Sequence, residues 1–219
     1  RRWLDANGFG ETEIHLNEWN YLPDNDWAPM LAPDSGLERR RWYARMGGAE
    51  GAAFVAYVLI DLQNSPVDVA NFYSGDNGTF GLFDRYGVPK KTFYAFRAFR
   101  MLLDTSERVE ATGGQPGRLA VCAGMNAERT SATILIANCA NATDTLEVEI
   151  ENVPWAGPTV LQTYRIDERD SLERIETQTA KPGPIRLSLS LPAPGVLVVG
   201  AGAAASDANR GTAFVAPAV

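Results

Sequence analysis

A carboxylate, two amides and an indole stand together in the segment Asn17-Glu18-Trp19-Asn20. Residues 13–17 favour a short strand, so this cluster falls at the C-terminal end of that strand, where (β/α) barrels assemble their active sites. A glutamate there can attack the anomeric carbon of a sugar if neighbouring donors keep it ionised. The reaction also needs a second carboxylic acid about 5 Å away to protonate the leaving group. The adjacent tryptophan would offer a flat apolar face to a pyranose ring.

A plainer interpretation of these residues stays open. Glu18 would then be a solvated acid in a loop and Trp19 a core residue, since motifs this short often match by chance. The secondary structure predicted around Glu18 and Trp19 helps to decide between the catalytic and the structural interpretation.

The first part of the chain alternates between strand-like and helix-like apolar patterns. Residues 37–50 carry charged and apolar faces at helical spacing and predict an amphipathic helix. Residues 52–60 are apolar without alternation, which favours a strand covered on both faces. A second helix is predicted to begin at Pro89, where the missing backbone donor of proline costs nothing. Strand, helix, strand, helix is typical of a parallel α/β sheet, but two such units cannot close a barrel.

The pattern changes near residue 105 to short strands separated by turn residues. Several of these strands alternate apolar and polar side chains, which indicates an antiparallel β-sandwich. The predicted strands are residues 119–123, 131–138, 145–150, 159–166, 185–191 and 195–199.

Composition excludes several classes of function. The chain has 219 residues, of which 45% are hydrophobic, and its formal net charge of −7 disfavours binding to nucleic acid. With His15 as the single histidine and only two cysteines, a zinc site or a Ser-His-Asp triad has little material. No apolar run approaches the length of a membrane span. Cys122 and Cys139 lie in predicted strands, and either a disulfide or two buried thiols fits that placement.

Ordered motifs resemble those of retaining glycosidases with a TIM barrel. The segment around Glu18 is similar to the nucleophile segment that closes their seventh strand. Residues 79–96, with a Gly-Leu, a Gly-x-Pro-Lys and an aromatic cluster, resemble the stretch from their eighth strand to their last helix. Tyr-Arg-Ile-Asp-Glu at residues 164–168 resembles a segment in the accessory sandwich of glycoside hydrolase family 39, the β-xylosidase and α-L-iduronidase group, and residues 132–138 also fit that sandwich. The matches cover most of residues 11–200.

The resemblance implies a role for each residue of the first cluster. Glu18 matches the catalytic nucleophile, while Asn17, Trp19 and Asn20 match the residues that flank it at the sugar site. No metal or organic cofactor is implied.

Two further residues follow from the same resemblance. Tyr57 aligns with an aromatic residue of the eighth strand that forms part of the floor of the sugar site, where tryptophan is more usual. Asp61 matches an acid that follows this strand, but the later acids of the family pattern are absent, so the sugar stays unassigned. Core packing for Tyr57 and loop capping for Asp61 are equally open.

The general acid/base of these enzymes comes from an Asn-Glu pair at the end of the fourth strand. The resemblance begins at the seventh strand, so we expect that residue to be missing from this chain. Without a proton donor the leaving group departs as an alkoxide, which forfeits a factor of about 10² to 10⁴ in rate. We therefore expect the isolated chain to be inactive or nearly so.

The expected architecture is α/β plus all-β. Residues 1–105 would form strands seven and eight of a TIM (β/α)8 barrel with their helices. Residues 106–202 would form an antiparallel β-sandwich accessory domain, and residues 203–219 a loosely ordered tail. The first residues contain neither Met nor a signal segment, so the natural beginning is expected upstream, and secreted and cytoplasmic locations stay equally open.

The expected function is hydrolysis of O-glycosidic bonds with retention, by a glycosidase of which this chain is a fragment. The alternative is a noncatalytic carbohydrate-binding or structural β-sandwich module with a degenerate barrel remnant. The expected partner is a carbohydrate substrate. Neither nucleic acid nor a membrane is expected as a partner. An apolar edge at residues 53–59 would require a missing N-terminal barrel segment or self-association.

Overall fold

The computed structural model describes residues 1–204. The α-helices of this part are Arg2–Ala6 (α1), Ala28–Leu31 (α2), Gly36–Gly47 (α3), Ala49–Leu62 (α4) and Lys91–Leu103 (α5). The strands are His15–Trp19 (β1), Val69–Phe72 (β2), Glu107–Val109 (β3), Leu119–Met125 (β4), Ser131–Asn138 (β5), Thr145–Ile150 (β6), Thr159–Ile166 (β7), Ser171–Ala180 (β8), Ile185–Ser190 (β9) and Gly195–Ala203 (β10).

The first two strands form a small parallel sheet. His15 lies opposite Val69, and Trp19 lies opposite Phe72. Helices α2, α3 and α4 lie in the connection between the strands, because parallel neighbours require a long crossover. The rings of Trp19 and Phe72 are 5.1 Å apart, and both contact Phe96 on α5. One face of this sheet therefore packs on α5.

The prediction of a strand at residues 52–60 is wrong, because these residues belong to α4. Ala52, Ala53, Val55 and Ala56 are fully buried there. A helix that is buried on most sides shows no amphipathic pattern, so its apolar run resembles a buried strand. The exposed apolar edge expected at residues 53–59 is absent for the same reason.

The predicted amphipathic helix at residues 37–50 is confirmed as α3, which ends earlier, at Gly47. Met46 is buried at its end, and α4 begins two residues after α3 ends. A Cβ at Gly51 would lie 1.8 Å from the carbonyl oxygen of Met46, so only glycine permits this close approach of the two helices. The helix predicted from Pro89 is confirmed as α5.

The second half of the chain folds into antiparallel strands, as predicted. Six of them form one sheet in the order β3-β4-β5-β10-β7-β8, while β6 and β9 form a separate pair. Strands β3 and β8 were not predicted. The pair β6–β9 covers one face of the large sheet through Leu146, Leu187 and Leu189, which pack against Leu161 and Leu197. Helices α4 and α5 cover the opposite face.

Helices and sheet share one hydrophobic core. Its helical side includes Val55 from α4 and Met101 from α5, and its sheet side includes Leu135, Ile166 and Val196. The change of pattern near residue 105 therefore separates two kinds of secondary structure that are packed together.

Both cysteines are free thiols. Cys122 on β4 pairs in register with Leu135 of β5, whereas Cys139 follows the last residue of that strand. The two cysteines therefore lie several residues apart along the sheet, and the disulfide alternative is not realised. Burial raises the pKa of Cys139 to about 11.

Within residues 1–204, every helix is too short or too polar to cross a lipid bilayer. At the C-terminal end, β10 extends to Ala203, and the backbone N–H of Ala204 donates to the carbonyl of Pro158 at 2.8 Å. The rest of the tail predicted for residues 203–219 lies outside the described residues.

Truncation of Leu135 tests the shared core. We expect Leu135→Ala to lower the free energy of unfolding by about 2–5 kcal/mol, because the side chain is fully buried between sheet and helices. Helical and tertiary signals should be lost together in urea, measured by far- and near-UV circular dichroism. The exposed Leu31→Ala is the matched control and should change stability by less than about 0.5 kcal/mol. Separate transitions for helices and sheet would contradict a single core.

Candidate active site

The candidate nucleophile lies at an irregular point of β1. From Leu16 to Trp19 the chain advances three residues, while its partner strand advances only from Ala70 to Phe72. The register therefore shifts by one residue at Asn17 and Glu18, and both of these side chains are exposed. Such shifts re-aim side chains and are common next to active sites. Glu18 is thus the penultimate residue of the strand, with its carboxylate accessible to a ligand.

Asn20 ties the end of β1 to the chain that follows β2. Its side-chain Nδ2 donates to the carbonyl oxygens of Tyr73 and Phe80, the latter at 2.9 Å, and its Oδ1 accepts from the N–H of Tyr21 at 2.6 Å. The N–H of Tyr73 donates to the carbonyl of Trp19 at 3.0 Å. Asn20 therefore joins the end of β1 to the backbone of Tyr73 and Phe80.

Three aromatic rings lie on the loops that follow β1 and β2. Phe80 is in the middle, with its ring centroid 5.8 Å from that of Trp27 and 6.0 Å from that of Tyr73. The outer two rings are half exposed, Trp27 to 49% and Tyr73 to 52%. We call Trp27, Phe80 and Tyr73 the aromatic row. It offers apolar faces to solvent beside the strand end that carries Glu18.

Trp19 does not offer the apolar face predicted for it. Its ring packs in the core against Phe72 and Phe96, and its indole Nε1 is buried without a hydrogen-bond partner among the described residues. The structure therefore supports the core interpretation of Trp19.

Tyr57 and Asp61 do not lie on the second strand, because the segment that carries them is helix α4. The Tyr57 ring packs against the core, and its hydroxyl accepts a hydrogen bond from the N–H of Gly117 at 2.7 Å. Asp61 is exposed near the end of the helix. The expectation that Tyr57 lies on a strand and that Asp61 follows it is therefore wrong. In the observed fold, Tyr73 is the aromatic residue that directly follows the second strand.

Lys90 organises the loop that follows β2. Its Nζ donates to the carbonyls of Gly78, Thr79 and Gly81, the last two at 3.0 and 2.9 Å. Burial lowers the pKa of this ammonium group, with the charge of Asp84 acting in the opposite direction. These contacts give a physical reason for the Pro-Lys motif, since one side chain closes the loop that holds Phe80.

Gly81 supplies the other half of that loop. A Cβ at this position would lie 2.0 Å from the carbonyl oxygen of Asp76, so the loop closes only around glycine. The Gly-Leu motif therefore has a steric cause.

An ionic cluster holds the loop that follows β1. Arg45 donates to both carboxylate oxygens of Glu50, each at 2.7 Å, and to Asp24 at 2.9 Å. Tyr21 donates its hydroxyl proton to Glu50. The Arg45 guanidinium holds the pKa of Glu50 below its usual value of 4.5, and burial, with Glu50 adding to it, raises the pKa of Tyr21. The cluster fixes the loop that leads to Trp27.

The Tyr-Arg-Ile-Asp-Glu segment contains the last three residues of β7 and the first two of the turn to β8, and this turn contacts α5. Arg165 contacts Asp167 at 2.8 Å, and Lys91 donates from α5 to the carbonyl of Asp170, also at 2.8 Å. Asp167 accepts from the N–H groups of Arg169 and Asp170. The motif therefore helps to attach the turn after β7 to α5. No group of three or more potential metal ligands occurs within residues 1–204.

Sequence reasoning missed Tyr73, Trp27 and Lys90 as parts of this region. Tyr73 was missed because β2 has only four residues and follows a helix that was taken for the strand. The Pro-Lys motif signalled Lys90 without indicating its role. Nothing in the local sequence separates Trp27 from an ordinary loop aromatic.

Several solved structures that match this chain are glycoside hydrolases. The chain matches a glucosidase from Croceicoccus marinus with a TM-score of 0.71 and 23% identity, over 94% of this chain and 49% of that one. A glycoside hydrolase family 39 enzyme from Xanthomonas axonopodis pv. citri matches with a TM-score of 0.65 and 14% identity, over 93% and 47%. A family 30 endoxylanase from Clostridium papyrosolvens matches with a TM-score of 0.61 and 12% identity, over 93% and 45%.

These likenesses show that the chain has a glycosidase-like fold. It spans about half the length of the glycosidases that it matches. No protein-family model and no curated protein matches the chain.

Removal of the Lys90 ammonium tests the loop. We expect Lys90→Met to lower the free energy of unfolding by about 1–3 kcal/mol, because carbonyls inside the loop lose their donor. Limited proteolysis should cleave first within residues 74–83. The exposed Lys181→Met is the matched control and should leave the cleavage pattern unchanged. Equal protection of the loop in both variants would contradict the role of Lys90.

Acidification tests the ionic cluster. Because the folded-state pKa of Glu50 lies below its usual 4.5, its stabilising effect is complete above that pH and is lost as the pH falls through the lower value. We expect Glu50→Gln to flatten the fall of stability between about pH 5 and pH 3, measured by urea unfolding. Glu38→Gln, an exposed acid on α3, should keep the parental slope. A parental slope in Glu50→Gln would contradict the assignment.

Proposed function

We propose that the chain supplies the nucleophile of a retaining glycoside hydrolase that cleaves O-glycosidic bonds, and that Glu18 is that nucleophile. The observation that carries the proposal is the position of Glu18 at the shifted, exposed end of β1, beside a strand end that presents Tyr73. The glycosidase-like fold supports it. The similarity to a glycoside hydrolase family 39 enzyme supports the proposal that the enzyme belongs to that family or to a related one.

In this mechanism a Glu18 carboxylate oxygen attacks the anomeric carbon. The bond to the leaving oxygen breaks, and the sugar remains attached to Glu18 as an ester. Water then attacks the same carbon, the ester bond breaks, and the carboxylate is restored. Two displacements on one carbon retain its configuration.

The leaving oxygen needs a proton, and the incoming water needs a base. Retaining glycosidases use one carboxyl group for both steps, about 5 Å from the nucleophile. The glycosidases that match this chain are about twice as long as the part of them that it covers. We propose that the acid/base residue belongs to that further portion of the fold.

The other residues of the site have distinct roles in this proposal. Asn17, exposed next to Glu18, hydrogen-bonds the substrate, and Asn20 positions the two loops. Tyr73 replaces Tyr57 as the aromatic floor of the sugar site. No metal or organic cofactor takes part in the proposed chemistry.

The second candidate function is noncatalytic carbohydrate binding. The half-exposed rings of Trp27 and Tyr73 favour it, because aromatic faces bind sugars whether or not a reaction follows. Formation of a covalent bond to Glu18 separates the two functions.

Covalent trapping tests Glu18 without requiring the proton donor. The probe is a dinitrophenyl glycoside with fluorine in place of the hydroxyl next to the anomeric carbon, offered as its xylose and glucose forms. Its leaving group departs as a stable anion, while the fluorine slows hydrolysis of the ester. We expect mass spectrometry of the digested chain to find one sugar on the peptide that contains Glu18.

The variants are Glu18→Gln, which should not be labelled, and Glu13→Gln, which should be labelled like the parent. Glu13 is an exposed acid just before the same strand and so controls for nonspecific esterification. Labelling of Glu18→Gln, or of a different acid, would remove Glu18 from the mechanism. Sugar binding without any labelling would favour the noncatalytic function.

A further inference from the structure

The aromatic row presents two half-exposed rings, Trp27 and Tyr73, where the reacting sugar requires one. In the proposed function Tyr73 alone provides a floor for the sugar that reacts, yet Phe80 contacts both Tyr73 and Trp27 and so joins their rings. Both ring pairs are tilted aromatic contacts, with interplanar angles of 50° for Tyr73–Phe80 and 44° for Trp27–Phe80. Trp27 therefore offers a second half-exposed ring on which a further sugar can stack.

Trp27 is exposed in a fixed position. Asp26, just before it, accepts the Trp42 indole N–H through its carbonyl at 3.0 Å and the Ala28 N–H through its side chain at 2.8 Å. The ionic cluster around Arg45 holds the start of the same loop. A half-exposed indole on an anchored loop loses little conformational entropy when a ligand covers it.

The same edge is acidic. Asp26 directly precedes Trp27, Asp76 lies in the loop between Tyr73 and Phe80, and both carboxylates are exposed, as is Glu18; the chain as a whole carries a net charge of −7. A polyanionic sugar chain would be repelled here, whereas neutral sugars can stack on the rings and hydrogen-bond the carboxylates.

We propose that Trp27 and Phe80 form a second sugar-binding platform, so that the ligand is a neutral oligosaccharide or polysaccharide chain. The chain runs along the row from the sugar on Tyr73 to a sugar on Trp27. Two links connect this platform to the candidate active site: the Phe80–Tyr73 ring contact, and Asn20, whose side chain holds the backbones of both residues. The direction of the chain relative to Glu18 rests on the proposed function, while binding along the row does not.

Calorimetric titration of the 219-residue chain carrying Glu18→Gln tests this platform, since that background prevents turnover. The probes are xylotetraose, cellotetraose, the two corresponding monosaccharides and tetragalacturonate. We expect a neutral tetrasaccharide to bind at least about tenfold more tightly than its monosaccharide, and tetragalacturonate to bind more weakly than either neutral chain.

Adding Trp27→Ala should weaken binding of the tetrasaccharide about tenfold, equivalent to ~1.4 kcal/mol, and leave monosaccharide binding unchanged. Trp27→Phe should retain most of the affinity. Trp3→Ala removes an indole that is 70% exposed on α1 and should have no effect. Circular dichroism confirms that each variant is folded.

An unchanged tetrasaccharide affinity in Trp27→Ala would overturn the platform, as would tighter binding of tetragalacturonate. Absence of tetrasaccharide binding, with Glu18 still labelled by the fluoroglycoside, would overturn the platform alone. Trp27-dependent binding without any labelling of Glu18 would support the platform and contradict the proposed catalytic function.

Discussion

The layer formed by α4 and α5 is the constraint on which the rest of the structure depends. One side of this layer packs on the six-stranded sheet, and Phe96 on α5 receives Trp19 and Phe72 from the parallel pair. Helix α5 thus positions β1 and β2. The antiparallel half stabilises the candidate site from a distance, because it completes the core that holds these helices.

At the site itself, polar contacts replace apolar packing. Asn20 joins the two strand ends, Lys90 closes the loop after β2, and Arg45 with Glu50 holds the loop after β1. Each of these polar groups bonds to backbone atoms or to another side chain of the same chain. The carboxylate of Glu18 and the aromatic faces are left for a ligand, as expected for a site whose supports are preorganised.

The sequence predicted the elements whose patterns are unambiguous. The strand near Glu18, the helix after Pro89 and the alternating strands after residue 118 carry clear periodicity, and all are present. Helix α4 was taken for a strand because burial on most sides removes periodicity, and that error misassigned Tyr57. The aromatic row could not be predicted, since its rings come from two separate loops that only the fold brings together.

The proposed active site requires Glu18 and Tyr73 to face the same sugar. The most direct measurement is a crystal structure of the chain carrying Glu18→Gln with xylotetraose or cellotetraose bound. We expect one sugar ring stacked on Tyr73, with its anomeric carbon within contact distance of the Gln side chain that replaces Glu18. A sugar held elsewhere on the molecule, or one whose anomeric carbon lies out of reach of residue 18, would contradict it.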